Sequence, residues 1–272
     1  MNKKETVIKE IIQKLHSVVV GLSGGVDSTL TAKLCLDILG HQNVWAATGN
    51  SKSMMPEELE YCKQMASWLG LMDEHFIIIN TTELADPNYV ANPENRCYYC
   101  KHELFGKLAV LASQVGAKFV VDGSNAADLT DYRPGTQACR DLNVRAPLAE
   151  AGFTKEDIRI LAKKMGLPNW DKPAMPCLSS RIPYHSVVTP QKLDQIAAAE
   201  RYLRGLGFKQ FRVRHHDKIA RLEIDDINLI LKNGLREQID KKLREIGFSY
   251  VAVDLGGFKS GSLNVGIIRK ES

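Results

Sequence analysis

The chain lacks any apolar run near the roughly 18–20 residues that a membrane-spanning helix requires, which leaves no membrane partner to expect. Its first twenty residues, MNKKETVIKEIIQKLHSVVV, are charged throughout and lack a small-residue cleavage site, so no secretory leader is expected and the cytoplasm is the default address. Neither an internal repeat nor a low-complexity tract is visible. Charge of one sign is scarce: 36 Lys and Arg against 32 Asp and Glu give a net of +4 over 272 residues. With 44% hydrophobic residues, that balance excludes disorder as the main state. Such a chain is long enough for one large core, or for a core with a smaller domain beside it.

What is present alternates. Val7, Ile8, Ile11, Ile12 and Leu15 form a helical stripe, followed by the apolar run Ser17–Leu22, which suits a strand buried on both faces. Strands are expected again at Val44–Thr48, Glu74–Ile79 and Lys118–Val121, with helices at Ser28–Leu39, Pro56–Leu69 and Tyr98–Val115 between them. This rhythm predicts an α/β fold, a doubly wound parallel sheet with helices on both faces. Residues 86–97 and the proline-rich 168–190 read as ordered loops. Beyond them the pattern changes to helix Gln191–Leu206, strands Phe211–His215 and Ala220–Ile224, helix Ile227–Ile246 and strand Tyr250–Asp254. We therefore expect a first domain over 1–186 and a smaller C-terminal α+β domain over 187–272. The latter holds 16 Lys/Arg and 11 Asp/Glu, a net of +5, against −1 for the former, with 20 and 21. Solvated helix faces would account for the surplus, and so would a site for phosphate, carboxylate or nucleic acid.

Between the first strand and its helix stands SGGVDS, residues 23–28. Gly24 and Gly25 let the backbone approach an anion closely. Amides at the helix start, with the Ser23 and Ser28 hydroxyls, can donate to phosphate oxygens. Asp27 brings a negative charge into a phosphate site, which makes sense if Mg2+ bridges the two. No Gly-Lys-Ser/Thr follows, so this is not a Walker A loop. Asp122, Gly123 and Ser124 follow the strand at 118–121, at the sheet edge where such folds hold a nucleotide, and Thr48 ends the second strand. Arg133, in DYRPG, is a candidate phosphate contact, with a surface ion pair as the plainer account.

Six cysteines are present: Cys35, Cys62, Cys97, Cys100, Cys139 and Cys177. Cys35 and Cys62 fall on predicted helices and read as packed thiols, and Cys139 has no partner at ligand spacing. Cys97 and Cys100 form a C-x-x-C pair. In the second domain, Arg212 and Arg214 share one face of a strand and suit a phosphate. Glu223, on the neighbouring strand, is placed to orient one of them or to move a proton. His215 and His216 read as packed or solvated.

The SGG-x-DS loop after a first strand resembles the PP-loop ATP pyrophosphatases, which cleave ATP between the α and β phosphates. Four further segments, NPENRCYYCKHELF, DGSNAADLTDYRPG, VRAPLAEAGFTKEDIR and PCLSSRIPY, resemble the LarE family of sulfur insertases over nearly the whole chain. The resemblance implies ATP and Mg2+ as cofactors and a pyridinium-3,5-biscarboxylic acid mononucleotide as substrate. Its carboxylates would be adenylated and exchanged for sulfur in nickel-pincer cofactor biosynthesis. It places the sulfur donor at Cys177, with Arg181 near enough to steady a thiolate, and the substrate phosphate on Arg212 and Arg214. It also leaves alternatives open. Cys97, Cys100 and Cys177 would hold a [4Fe–4S] cluster that carries an external sulfide, or Cys177 would surrender its own sulfur; zinc lacks a clear fourth ligand. Thiolation of transfer RNA is a further possibility, but no RNA-binding module or zinc ribbon accompanies the loop, so nucleic acid is not the expected partner. A homo-oligomer is implied by the family alone. Two positions depart from its pattern: Ala127 where an acidic residue is common, and His185 where glycine is usual.

Overall fold

The computed structural model describes residues 3–130, 134–173, 175–231, 234–259 and 263. The chain forms two compact units, Met1–Tyr89 with Asn95–Met175, and Val90–Glu94 with Pro176–Ser272. Among the described residues no helix is long and apolar enough to cross a membrane.

In the first unit β1 (Val18–Gly21), β2 (Val44–Asn50), β3 (Phe76–Asn80) and β4 (Phe119–Val121) make a parallel sheet in the order β3-β2-β1-β4. Val18 pairs with both Val44 and Phe119, so β1 is central. Its valines are fully buried because alternate side chains enter different cores. Val18 and Val20 pack with Ile8, Ile12, Leu30 and Ile158. Val19 packs with Ala47, Phe105, Leu108 and Val120 on the other face. Helices therefore cover both faces, as a doubly wound sheet requires. The strand order reverses beside β1, which opens a crevice at the carboxyl ends of β1 and β4.

The second unit carries β5 (Phe211–His216), β6 (Ile219–Ile224) and β7 (Tyr250–Val253) in that order, β5 antiparallel and β7 parallel to β6. Helices Pro190–Gly205 and Leu235–Ile246 pack on it through Leu203 and Leu243, with Phe248 in the same core. The single helix expected over 227–246 is instead a short turn, Ile227–Leu229, and a helix that starts at Leu235. Asp226 caps the turn through the amide of Asn228, and Gly234, at φ +69°, lies in the left-handed region that interrupts helix propagation.

The division between the units lies before the expected residue 187 and includes a detached piece, residues 90–94. Hydrogen bonding explains why. Asn92 is fully buried, with its amide nitrogen 2.7–3.3 Å from the carbonyl oxygens of Ile182, Pro183 and Ser186. Its own carbonyl accepts from the His185 amide at 2.9 Å, and Val90 accepts from Val188. Asn92 and His185 both have positive φ, +56° and +65°. A left-handed histidine costs roughly 1–2 kcal/mol, which the bonds to Asn92 offset. These bonds fasten the bend.

Candidate active site

The loop 23–28 is held from three sides. Gly24 has φ +70°, and a Cβ there would meet Cys62 Sγ at 3.1 Å and Tyr61 Cδ1 at 3.2 Å. The Ser23 and Ser28 hydroxyls lie 3.0 Å apart, and Ser28 Oγ donates to the Gly25 carbonyl. Asn169, almost wholly buried, donates to the Gly24 carbonyl at 3.0 Å and to Thr29 Oγ1 at 2.9 Å. Gly25 caps the following helix without a side chain, so the first amides of Val26–Leu39 stay available to an anion.

Ser23, Asp27, Ser28, Thr48, Gly123 and Ser124 line one cleft of about 300 Å³, with Gly24 and Gly25 shaping its loop. Thr48 faces inward: its hydroxyl donates to the Leu22 carbonyl at 2.6 Å and ties the ends of β1 and β2 together. Burial raises the pKa of Asp27, and Lys155 opposes that shift with Nζ at 2.7 and 2.6 Å from the two carboxylate oxygens. Arg133 lies outside the described residues.

Gly123 touches the loop directly. A Cβ there would lie 2.6 Å from Ser28 N, 2.8 Å from Ser28 Cα and 2.9 Å from the Asp27 carbonyl carbon. These are backbone atoms of a helix start and cannot swing aside. Gly123→Ala should cost about 1–3 kcal/mol by overpacking, which thermal melting will show as a lower midpoint.

Asp122 lines the cleft too, and with it Lys101, which was not among the binding residues expected. Asp122 accepts from the amide and hydroxyl of Ser124 and pairs with Lys101 Nζ at 3.3 Å. Lys101 sits beside Cys100 on the helix Arg96–Val115, with its ammonium 5.5 Å from the Phe105 ring. Burial works against its charge, yet Asp122 and its neighbours hold its pKa above the usual lysine range. The available signal was one cation on the otherwise apolar stripe of Leu104, Phe105 and Leu108.

Three thiols are packed, as their neighbours suggested. Cys35, Cys62 and Cys139 are buried, and burial pushes them up to about 12, 11 and 12. Cys97 is exposed and Cys100 half-buried, three residues apart at the start of one helix and so on neighbouring positions of its surface. Among the described residues no three His, Cys, Asp or Glu side chains are grouped to hold a metal ion.

In the second unit Cys177 is exposed and opens the turn Leu178–Arg181. Arg181 takes a different task from the one expected. It is 1% exposed, with Nε and Nη2 on the two oxygens of Glu200 at 2.8 and 2.9 Å. Its Nη1 donates to the carbonyls of Pro176 and Cys177 at 2.6 and 3.0 Å. Glu200 balances its charge, and the guanidinium shapes the backbone of the cysteine loop. Arg214 joins it, with Nη1 on the Ser180 carbonyl at 2.6 Å and Nη2 on the buried Glu223 at 2.8 Å. Glu223 thus orients Arg214, and also lies 3.2 Å from Arg221. Arg212 is the less committed of the expected pair. Its Nη1 donates to the Phe211 carbonyl, its guanidinium lies 5.0 Å from the Phe258 ring, and among the described residues it forms no ion pair. Burial, aided by Arg181 and Arg214, lowers its pKa to about 10. An anion near it would relieve that repulsion. His215 is packed against Phe248 and bonded to Gln195, and burial lowers its pKa to about 4.

Comparison with known proteins gives these sites a context. The NAD synthase family model matches residues 1–100. The chain is 45% identical to an uncharacterized protein of Synechocystis over 259 residues, 94% of this chain and 95% of the relative. It is 39% identical to the pyridinium-3,5-bisthiocarboxylic acid mononucleotide synthase of Lactiplantibacillus plantarum over 264 residues, 96% of this chain and 94% of that one. Similarity to a tRNA-specific 2-thiouridylase of Caldanaerobacter subterraneus is 27% over 193 residues, 58% of this chain and 53% of the relative. With a glycine-bearing phosphate loop at the switch point of its sheet, and near-complete alignment to that synthase, the chain belongs to the LarE family of PP-loop enzymes.

Proposed function

We propose that this protein is an ATP-dependent sulfurtransferase that converts carboxylates of pyridinium-3,5-biscarboxylic acid mononucleotide into thiocarboxylates. The observation that carries the reading is the cleft in which Ser23, Asp27 and Ser28 meet Gly123 and Ser124. The loop amides and serine hydroxyls would take the ATP phosphates. Asp27 suits Mg2+: its carboxylate is largely buried and already draws a cation, Lys155. Magnesium, when bound, would supply charge neutralisation of the phosphates. A substrate carboxylate oxygen attacks the α phosphorus, and the bond to the bridging oxygen breaks, its electron pair leaving with pyrophosphate. The acyl adenylate is then open to a thiolate. Attack by Cys177 displaces AMP and forms a thioester; loss of the Cys177 α proton and cleavage of Cβ–S leave the thiocarboxylate and dehydroalanine.

Arg212 is the favoured anchor for the substrate phosphate, since Arg214 is engaged by Glu223 and Ser180. A [4Fe–4S] cluster on Cys97, Cys100 and Cys177 is the other route for sulfur. These three thiols are the accessible ones of the six. Incubation with ATP and the pyridinium substrate should release pyrophosphate and replace oxygen by sulfur in the product, read by mass spectrometry. Dehydroalanine at position 177 assigns the sulfur to the side chain; iron and acid-labile sulfide in anaerobically prepared protein assign it to a cluster. Thiolated RNA in place of the mononucleotide product overturns the reading.

A further inference from the structure

Glu83 is a buried carboxylate that the chemistry above does not use. It is 2% exposed, and among the described residues it forms no ion pair, although acids in protein interiors are almost always paired. It accepts instead from two hydroxyls, Ser51 Oγ and Ser53 Oγ, the second at 3.2 Å. Ser51 Oγ also accepts from the Ser53 amide at 2.9 Å and lies 2.7 Å from Ser53 Oγ. The Met54 amide donates to the Ser51 carbonyl at 3.0 Å and closes residues 51–54 into a turn. Met54, the last residue of that turn, lines the nucleotide cleft. Glu83 is itself held in place. Thr82, just before it, donates from its amide and hydroxyl to Glu103 on the helix Arg96–Val115, at 2.6 and 3.0 Å. The Thr81 amide donates to the Asn50 carbonyl at 3.0 Å, which joins the ends of β2 and β3.

The cleft lining is of two kinds. Ser23, Asp27, Ser28 and Ser124 bring polar side chains, whereas Leu22, Ala47, Gly49, Met54, Leu104 and Phe105 bring none. Resting on the ATP-cleaving reading, we infer that Glu83 is a positioning residue for the nucleoside part of ATP. It fixes the turn 51–54 so that Met54 stands as a ready wall for the base. Without the carboxylate, two hydroxyls lose their acceptor and the turn can take other forms. Part of the binding energy would then go into ordering it. Glu83 does not line the cleft and touches none of the loop 23–28, so its effect should fall on the nucleoside and spare the phosphates.

The test compares ATP with inorganic tripolyphosphate, which has the same phosphate chain and no nucleoside, each with Mg2+, by calorimetry on the full-length protein. Wild type should bind ATP the more tightly. Glu83→Met should weaken ATP by about 10- to 100-fold, the loss expected when bonds to a carboxylate are removed, with tripolyphosphate affinity unchanged. In steady state it should raise KM for ATP and keep kcat, because the reacting phosphates have not moved. Glu83→Gln retains an oxygen for both hydroxyls and should keep most of the ATP affinity. Ser51→Ala leaves the carboxylate in place and should weaken ATP in the same direction by a smaller factor, which decides the matter if Glu83→Met does not fold. If these variants lose ATP and tripolyphosphate alike, Glu83 only supports the fold and the inference falls. Unchanged ATP affinity in Glu83→Met and Ser51→Ala sinks it too, while the ATP reading stands. If the wild type binds neither ligand, both fall.

Discussion

On the sulfur-donor reading, Cys177→Ala should abolish sulfur transfer, by roughly 10⁴-fold or more as for other lost nucleophiles, while single-turnover pyrophosphate release and the melting temperature should stay at their original values. The expectation follows from where the thiol sits. Cys177 is exposed, and its side chain makes no capping bond to the turn that it opens. The loop is shaped through backbone carbonyls at 176, 177 and 180, none of which alanine removes. The cleft residues Ser23, Asp27 and Ser28 belong to the other compact unit and keep their own bonds. Thiocarboxylate is read by mass spectrometry and pyrophosphate by a coupled assay. Loss of both activities would give Cys177 a structural role and end the sulfur-donor reading.

The second large effect is on stability. Arg181→Met should destabilise the protein by about 3–5 kcal/mol, because removing one member of a buried ion pair strands the other. Glu200 is 1% exposed, and its Oε1 also accepts from the Val213 amide, so the stranded carboxylate stays fixed in the interior. The carbonyls of Pro176 and Cys177 lose their donor at the same time. Urea unfolding measures the loss. The double variant Arg181→Met with Glu200→Leu removes both charges and should regain much of the stability. It should not regain sulfur transfer, since the carbonyls of Pro176 and Cys177 then lack the guanidinium that fixes them. Equal recovery of both would mean that Arg181 matters only as a charge.

The difference between what could and could not be read in the sequence has a physical basis. The sheet was legible because Val18, Val19 and Val20 form a run that only a strand buried on both faces can use. The phosphate loop was legible because its glycines and serines are contiguous and lie between a strand and a helix. Asn169, Lys101 and Lys155 were not, since each reaches the cleft from a distant segment and contacts it through a single side chain. Arg181 stood four residues from Cys177, and nearness in sequence suggested a service to the thiolate. Its partner Glu200, on another helix, could not be read from that spacing. The break at Gly234 was missed because the apolar periodicity of 227–246 continues through a residue whose backbone does not.

Asn92 leaves its mark on how the protein is made. It is synthesised about ninety residues before the carbonyls of Ile182, Pro183 and Ser186 with which it bonds. On the ribosome the first unit's early strands can assemble, but Asn92 waits about ninety residues for the carbonyls that it bonds. No single cut in the polypeptide separates the two units, and residues 176–272 expressed alone would lack this fastener. The reactive loop therefore acquires its final form only after both halves of the gene have been read.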